Sequence, residues 1–179
     1  MEISYKGNIF DTGKDIEIQY LDDIDIINFV EALIDSVKVK GELHSLFGFV
    51  SRRFPFISNL SIMENIILPL EYHSHMKVAD AVEKVRGNVE SLDLEDVVSK
   101  RKEKVSNADI YKAMFLRATV MDPEVVFICD FKYAVTLKEF KNMLPSFRKM
   151  LGPDTKLWIG VSEGHSIEWE HDLEVSLDS

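Results

Sequence analysis

Residues 123–131, P-E-V-V-F-I-C-D-F, decide the fold. Residues 125–129 carry no polar side chain and no alternation. A run of that kind suits a strand covered on both faces, as in the middle of a parallel sheet. Five residues between a proline and a carboxylate are too few for a buried helix. The strand delivers Asp130 to its carboxyl end, where open α/β sheets gather ligands. The residue after it, where many phosphate-handling proteins carry a second acid, is Phe131.

Working outward, Asp122-Pro123 ends the element before the strand. That element starts at Ser106 and Asp109, an S-x-x-D capping box, and carries Ile110, Ala113, Met114, Leu116 and Val120 at helical spacing. Beyond the strand, Thr136 and Glu139 form another capping box. Phe140, Met143, Leu144 and Phe147 give its helix an apolar face, and Gly152-Pro153 stops it. Residues 156–161 read as a further core strand and 173–177 as a last edge strand. Upstream, residues 3–5 read as a short edge strand and 8–14 as turns. Residues 15–21 read as a strand, and Ile26, Val30, Leu33 and Ile34 mark a helix. Residues 46–50 are a strand. Ser61 and Glu64 cap a helix expected to run to about Pro69, and Met76, Val82, Val85 and Val89 mark a second. Alternating strands and helices predict an α/β fold with a mainly parallel sheet flanked by helices. The two helices without an intervening strand predict a small inserted helical lobe at 58–104, within a single domain spanning 1–179.

Composition bounds the function. Hydrophobic residues make up 46% of the 179-residue chain, enough for a real core. Against 31 acids stand 21 bases; a net charge of −10 repels a phosphate backbone, so no nucleic-acid partner is expected. The basic run Lys100-Arg101-Lys102 reads as a solvated loop. Cys129, the single cysteine, can form no internal disulfide. No apolar run approaches membrane-spanning length, so direct insertion into a membrane is not expected. These features predict a cytoplasmic protein.

The turn after the first core strand is acidic: Asp22, Asp23 and Asp25. A helix N-terminus is an anion site, because its free N–H groups and dipole point outward. Here carboxylates hold that place and can cap the helix themselves. The turn also lacks the glycine that would let backbone wrap a phosphate.

From residue 47 onward the order resembles the nucleotide-binding domain of an ABC transporter, a P-loop-NTPase-like fold in truncated form. F-G-F-V-S-R-R-F, then N-L-S-I-M-E-N-I-I-L-P-L-E-Y-H, resembles the family's Q-loop strand and the opening of its helical subdomain, most like the lipid-trafficking and lipoprotein-export cassettes. V-S-N-A-D at 105–109 resembles the signature helix, 123–130 resembles Walker B, and 158–163 resembles the strand before the switch histidine. Set against the family pattern, the phosphate loop is missing, with Asp23 about where its lysine would fall. The Q-loop glutamine position is Arg52. The signature keeps Ser106 but has Asp109 for its glutamine. Asp130 stands for the Walker B aspartate, Phe131 for the catalytic glutamate, Leu137 for the D-loop aspartate and Glu163 for the switch histidine, with His165 two residues late. Phosphoryl transfer needs phosphate donors, a metal and a positioned water together, and losing a general base alone costs ~10²–10⁴ in rate. The resemblance therefore implies a pseudo-ATPase with neither ATP nor Mg²⁺ as cofactor.

Other constellations carry less. If their strands are neighbours, as the resemblance implies, Asp22, Asp23 and Asp130 would converge as oxygen ligands for Mg²⁺ or Ca²⁺; helix and strand caps are the expected role, with no metal. The acidic pair also suggests a receiver domain, but the strand at 47–50 is followed by Ser51-Arg52-Arg53 rather than an aspartate. His44, His73 and His75 read as solvated, Cys129 as a core thiol, and Trp169 as a lid over the sheet end. Arg52, Arg53, Phe54, Phe56 and Ile57 are the expected partner-binding residues: exposed, they form an apolar patch, and buried, they pack under the lobe. In the resembled family this neighbourhood receives a permease helix.

The sequence thus favours a non-catalytic cassette-like subunit that binds a membrane permease or a second cassette, peripheral at the inner membrane through that partner. Two alternatives stay open: an atypical nucleotide-binding ATPase subunit, and a self-associating α/β module, such as a homodimer, unrelated to transport.

Overall fold

In the computed structural model, which describes residues 1–20, 22–38, 46–162, 167, 169 and 172–177, β1 (Glu2–Tyr5) turns into β2 (Asn8–Asp11) as an antiparallel hairpin with Tyr5 opposite Asn8. Lys6 and Gly7 both take positive φ, 46° and 83°, the two-residue turn whose twist matches the strands. Part of the segment read as turns is therefore a strand, and β1 belongs to a separate two-stranded sheet rather than to the main sheet's edge.

β3 (Ile16–Tyr20), α1 (Asp23–Lys38) and β4 (Phe47–Val50) follow. α2 (Ile62–Ser74) and α3 (Val78–Ser91) come next, then α4 (Asn107–Thr119). β5 (Val125–Ile128), α5 (Leu137–Met150), β6 (Lys156–Ser162) and β7 (Leu173–Ser176) complete the order. The main sheet has five strands in the order β4-β5-β6-β3-β7, and every pairing is parallel. The apolar run is its second strand. Val125, Phe127 and Cys129 point to one face, with Phe29, Leu33 and the hairpin's Phe10. Val126 and Ile128 point to the other, with Phe115, Phe140 and Phe147. Both faces are dry, which is why the run shows no alternation.

Two of the three expected capping boxes close in both directions; at Ser106 the hydroxyl accepts from Asp109 N and donates to Asp109 Oδ2 at 2.8 Å, a one-sided cap. Ser61 and Thr136 accept from the N–H three residues on, while Glu64 and Glu139 reach back to the cap N–H. The helix begun at Ser61 does not stop near Pro69, however. It runs on to Ser74 and ends where His75 adopts φ 51° and donates its N–H to Leu70 O. Proline removes one N–H from the ladder, but Ile66, Ile67 and Leu70 remain buried around it, and burial of an apolar face decides helix stability more than local propensity does. The chain returning from α3 covers the start of α2, with Ile62 N donating to Lys100 O at 2.8 Å and Met63 N to Val98 O at 2.8 Å.

Candidate functional site

The carboxyl ends of the strands bring together residues from four segments. At the start of α1, Asp22 Oδ1 accepts from the N–H groups of Ile24 (2.7 Å) and Asp25 (3.0 Å). It is the helix cap, and it takes up donors that a phosphate would otherwise meet. Asp23 turns the other way. Lys132 Nζ lies 3.2 Å from its Oδ1, Arg52 Nη2 lies 3.7 Å from its Oδ2, and the Tyr133 hydroxyl donates to it. Lys132 also donates to Ser162 Oγ at 3.0 Å. The Arg52 guanidinium stacks 3.6 Å above the Tyr133 ring and holds its Nε 3.7 Å from Asp130.

Asp130 adopts φ 54° as the chain leaves β5. Its carboxylate accepts from Ser51 Oγ at 2.9 Å and from the Arg52 N–H at 3.2–3.3 Å. It ties the exit of β5 to the exit of β4.

The two acids titrate in opposite senses. Burial pushes the Asp130 carboxyl above its usual value, with Ser51 and Arg52 pulling it back only in part. The hydrogen bond from Tyr133, then Lys132 and Arg52, hold Asp23 below its own. Stability linked to Asp130 is therefore full below its unfolded pKa and is lost as pH rises through the raised folded one. Stability linked to Asp23 is present above its unfolded pKa and is lost as pH falls through the lowered one.

Asp22, Asp23 and Asp130 do not converge as the neighbouring-strand expectation required. β6 lies between β3 and β5, Asp22 is turned into the helix cap, and the Arg52 cation sits between Asp23 and Asp130. Among the described residues, no group of three or more His, Cys, Asp or Glu side chains is placed to hold a metal. Phe131 is buried and stacks on Phe140 at 4.2 Å. Ser106 caps α4, accepting from Asp109 N at 3.1 Å, and Asp109 pairs with Lys112 at 3.5 Å. Glu163, His165 and His44 lie outside the described residues. The Cys129 thiol is buried, and burial raises its pKa far from thiolate chemistry. Trp169 donates from Nε1 to Glu17 Oε2 at 2.9 Å.

The segment 51–57 divides between two sites. Arg52 belongs to the sheet end, and Arg53 pairs with Glu31 at 2.6 Å. Phe56 is buried with Ile62 and Ile66, the packed one of the two arrangements that the sequence left open for this segment. Phe54 and Ile57 line a groove of about 540 Å³ between the sheet and α2, with Phe49, Leu68, Tyr72 and Met121. Asn65, fully buried, fixes one end of the segment: it accepts from Ile57 N at 2.7 Å and donates to Ile57 O (3.1 Å) and Ser61 O (2.9 Å). Arg117 fixes the other, donating to the carbonyls of Phe54 and Pro55 and lying over the Phe56 ring at 4.8 Å. Burial lowers its pKa to about 10, so it stays charged at neutral pH.

Sequence reasoning missed Lys132, Tyr133 and Ser51 at the sheet end, and Asn65 and Arg117 beside the groove. For Ser51, Lys132 and Tyr133 the signal available was position: residues directly after a core strand share its carboxyl end.

No protein-family model matches the sequence, and no curated protein matches it either. Solved structures do. A post-hydrolysis dimeric state of the ATP-binding cassette MJ0796 bound to ADP and Pi superposes with a TM-score of 0.67 at 15% identity, covering 90% of this chain and 84% of that one. A dimeric structure of MJ0796, described as a bacterial ABC transporter cassette, gives 0.60 at 13% identity over 96% and 94%. The chain has the α/β, P-loop-NTPase-like fold of ABC cassettes.

Proposed function

We propose that the chain is a cassette-like subunit without ATP chemistry of its own, whose groove holds a membrane permease or a second cassette. The observation that carries this reading is the start of α1. In a cassette fold the phosphates of a nucleotide would dock there, on free backbone N–H groups beside a lysine. Here Asp22 occupies the first N–H groups, and Asp23 brings a further carboxylate held by Lys132, Arg52 and Tyr133. A phosphate does not fit: it would meet two anions and find both nearby cations engaged. No glycine stands between β3 and α1 to open the backbone. The basic Arg52 at the sheet end is exposed but stands between two acids, 3.7 Å from each.

What supports the binding role is the groove. Its walls are largely apolar and aromatic with Arg117 at one side, Ile57 and Tyr72 stand exposed at its rim, and Asn65 and Arg117 hold its shape. Such a groove takes the apolar face of a helix. The dimeric state named for the MJ0796 structures supports a second cassette as one partner class. Among the described residues no helix is long and apolar enough to cross a membrane, so contact with a membrane on this reading is made through the partner, on its cytoplasmic side.

Purification from the native source under mild solubilisation tests this. A membrane protein or another cassette is expected to copurify in stoichiometric amount, and the double variant Ile57→Asp, Tyr72→Asp is expected to lose it. Both side chains are exposed, so the fold should keep its melting temperature. A partner retained by the folded double variant would move the interface elsewhere, and the absence of either class of partner would overturn the proposal.

A further inference from the structure

Arg117 is the least exposed of the six arginines. Arg52, Arg53, Arg86 and Arg148 each stand against a carboxylate. Among the described residues Arg117 has no ion pair. It donates to the Phe54 and Pro55 carbonyls and lies over the Phe56 ring. Those contacts offset part of its desolvation and leave its charge unmatched: burial lowers its pKa, and no described acid raises it back. A guanidinium carries five N–H donors, and the two carbonyls take only two of them.

The same residue lines the groove between the sheet and α2. No aspartate or glutamate lines it, although the chain carries 31 acids against 21 bases. Arg117 thus faces a space walled by Phe49, Phe54, Leu68 and Met121. At the rim, Tyr72 is 75% exposed and Ile57 44%, so the apolar surface runs on past the cavity. A surface of that extent suits a segment of a macromolecule; a free small acid would leave the rim bare.

Covering the groove sets the chemistry of what covers it, because the cover strips the remaining solvent from Arg117. A wholly apolar cover would seal in an unpaired charge, and a lysine or arginine would add a like one. Both are costly away from water. A carboxylate matches the charge and the planar donors together. On the reading that this groove holds a partner, we infer that the partner's docking segment carries an aspartate or glutamate among apolar residues and sets its carboxylate against Arg117. The apolar residues supply contact area, and the acid selects this segment from other apolar ones.

Calorimetric titration of the full chain with the partner that copurifies with it tests this. Arg117→Gln, which keeps donors for the two carbonyls, should weaken binding about thirtyfold or more, as expected for one side of a covered charge pair. Changing each acid of the partner's docking segment to its amide should find one position with the same loss. Combining that change with Arg117→Gln should add little further loss. The partner-side change leaves this chain intact, so it reads the charge pair even where Arg117→Gln lowers the melting temperature. A partner released by Ile57→Asp, Tyr72→Asp but bound at full affinity after either neutralisation would overturn the inference and leave the groove as the docking site. Additive losses, or a loss in Arg117→Gln that no acid on the partner reproduces, would reduce Arg117 to holding the 54–57 segment and overturn it as well. Saturable, Arg117-dependent binding of decanoate, beside a partner indifferent to Arg117, would give the groove to a free amphiphilic acid instead. The absence of any partner would overturn both this inference and the docking role beneath it.

Discussion

Gly48→Ala leaves little folded protein at room temperature. Gly48 sits in the middle of β4, where α4 packs directly on the strand. A Cβ there would lie 2.0 Å from the Ala118 carbonyl oxygen, 2.9 Å from its carbon and 3.2 Å from Pro123 Cγ. The obstacle is backbone, so no rotamer change relieves it; either α4 or β4 must move. Overpacking a core costs ~1–3 kcal/mol when side chains can yield, and more is expected here, against a typical total of ~5–15 kcal/mol. Urea unfolding followed by circular dichroism gives the readout. Gly87→Ala is the matched control: nothing lies within 4 Å of its added Cβ, and inside α3 alanine should gain ~0.5–1 kcal/mol. A Gly48→Ala midpoint equal to that of the unsubstituted protein would mean that α4 does not pack on β4 as described.

Asp15→Ala is the second large loss. Asp15 lies at the opposite, amino-terminal end of the sheet and is buried. Its carboxylate accepts from Leu157 N at 2.7 Å and takes a two-pronged pair from Arg148, one arm at 3.0 Å. Its own N–H donates to Asp172 Oδ2 at 2.8 Å. Removing the carboxylate strands a buried backbone donor at the start of β6 and unpairs a guanidinium. Breaking a buried pair from one side costs ~3–5 kcal/mol. Arg148 is partly exposed, so Arg148→Ala should cost less. Asp15→Asn should fall between, since its amide oxygen can still accept from Leu157 N. The order Ala, then Asn, then Arg148→Ala in unfolding free energy tests the assignment; equal losses for all three would remove Leu157 N–H from the account.

These sites show what a sequence can and cannot reveal. The core strand at 125–128 was legible because burial on both faces erases alternation. The helix starts were legible because Ser61, Ser106 and Thr136 satisfy local donors whatever the rest of the chain does. The end of α2 was not: Pro69 signals a stop, but the burial that carries the helix past it comes from distant residues. Nor was the position of β6 between β3 and β5, since strand order is a property of the whole sheet. That single fact separates the strand ends that lead to Asp23 and Asp130 and gives Arg52 room between them. The acidic cap at Asp22 could be read from the turn alone. The engagement of Asp23 could not, because Arg52, Lys132 and Tyr133 lie 29, 109 and 110 residues further along the chain. In the 51–57 segment, composition gave an aromatic patch, but only packing decides that Phe56 faces inward while Phe54 and Ile57 line the groove.

The central claim is that the start of α1 is closed to phosphate by the chain's own carboxylates. Calorimetric titration of the purified protein with MgATP tests it most directly, with the melting temperature read at the same nucleotide concentrations. No heat of binding and no rise in melting temperature are expected up to millimolar MgATP, since a ligand that binds only the folded state must raise it. Saturable binding with a matching rise would contradict the account and return the chain to the nucleotide-binding cassettes.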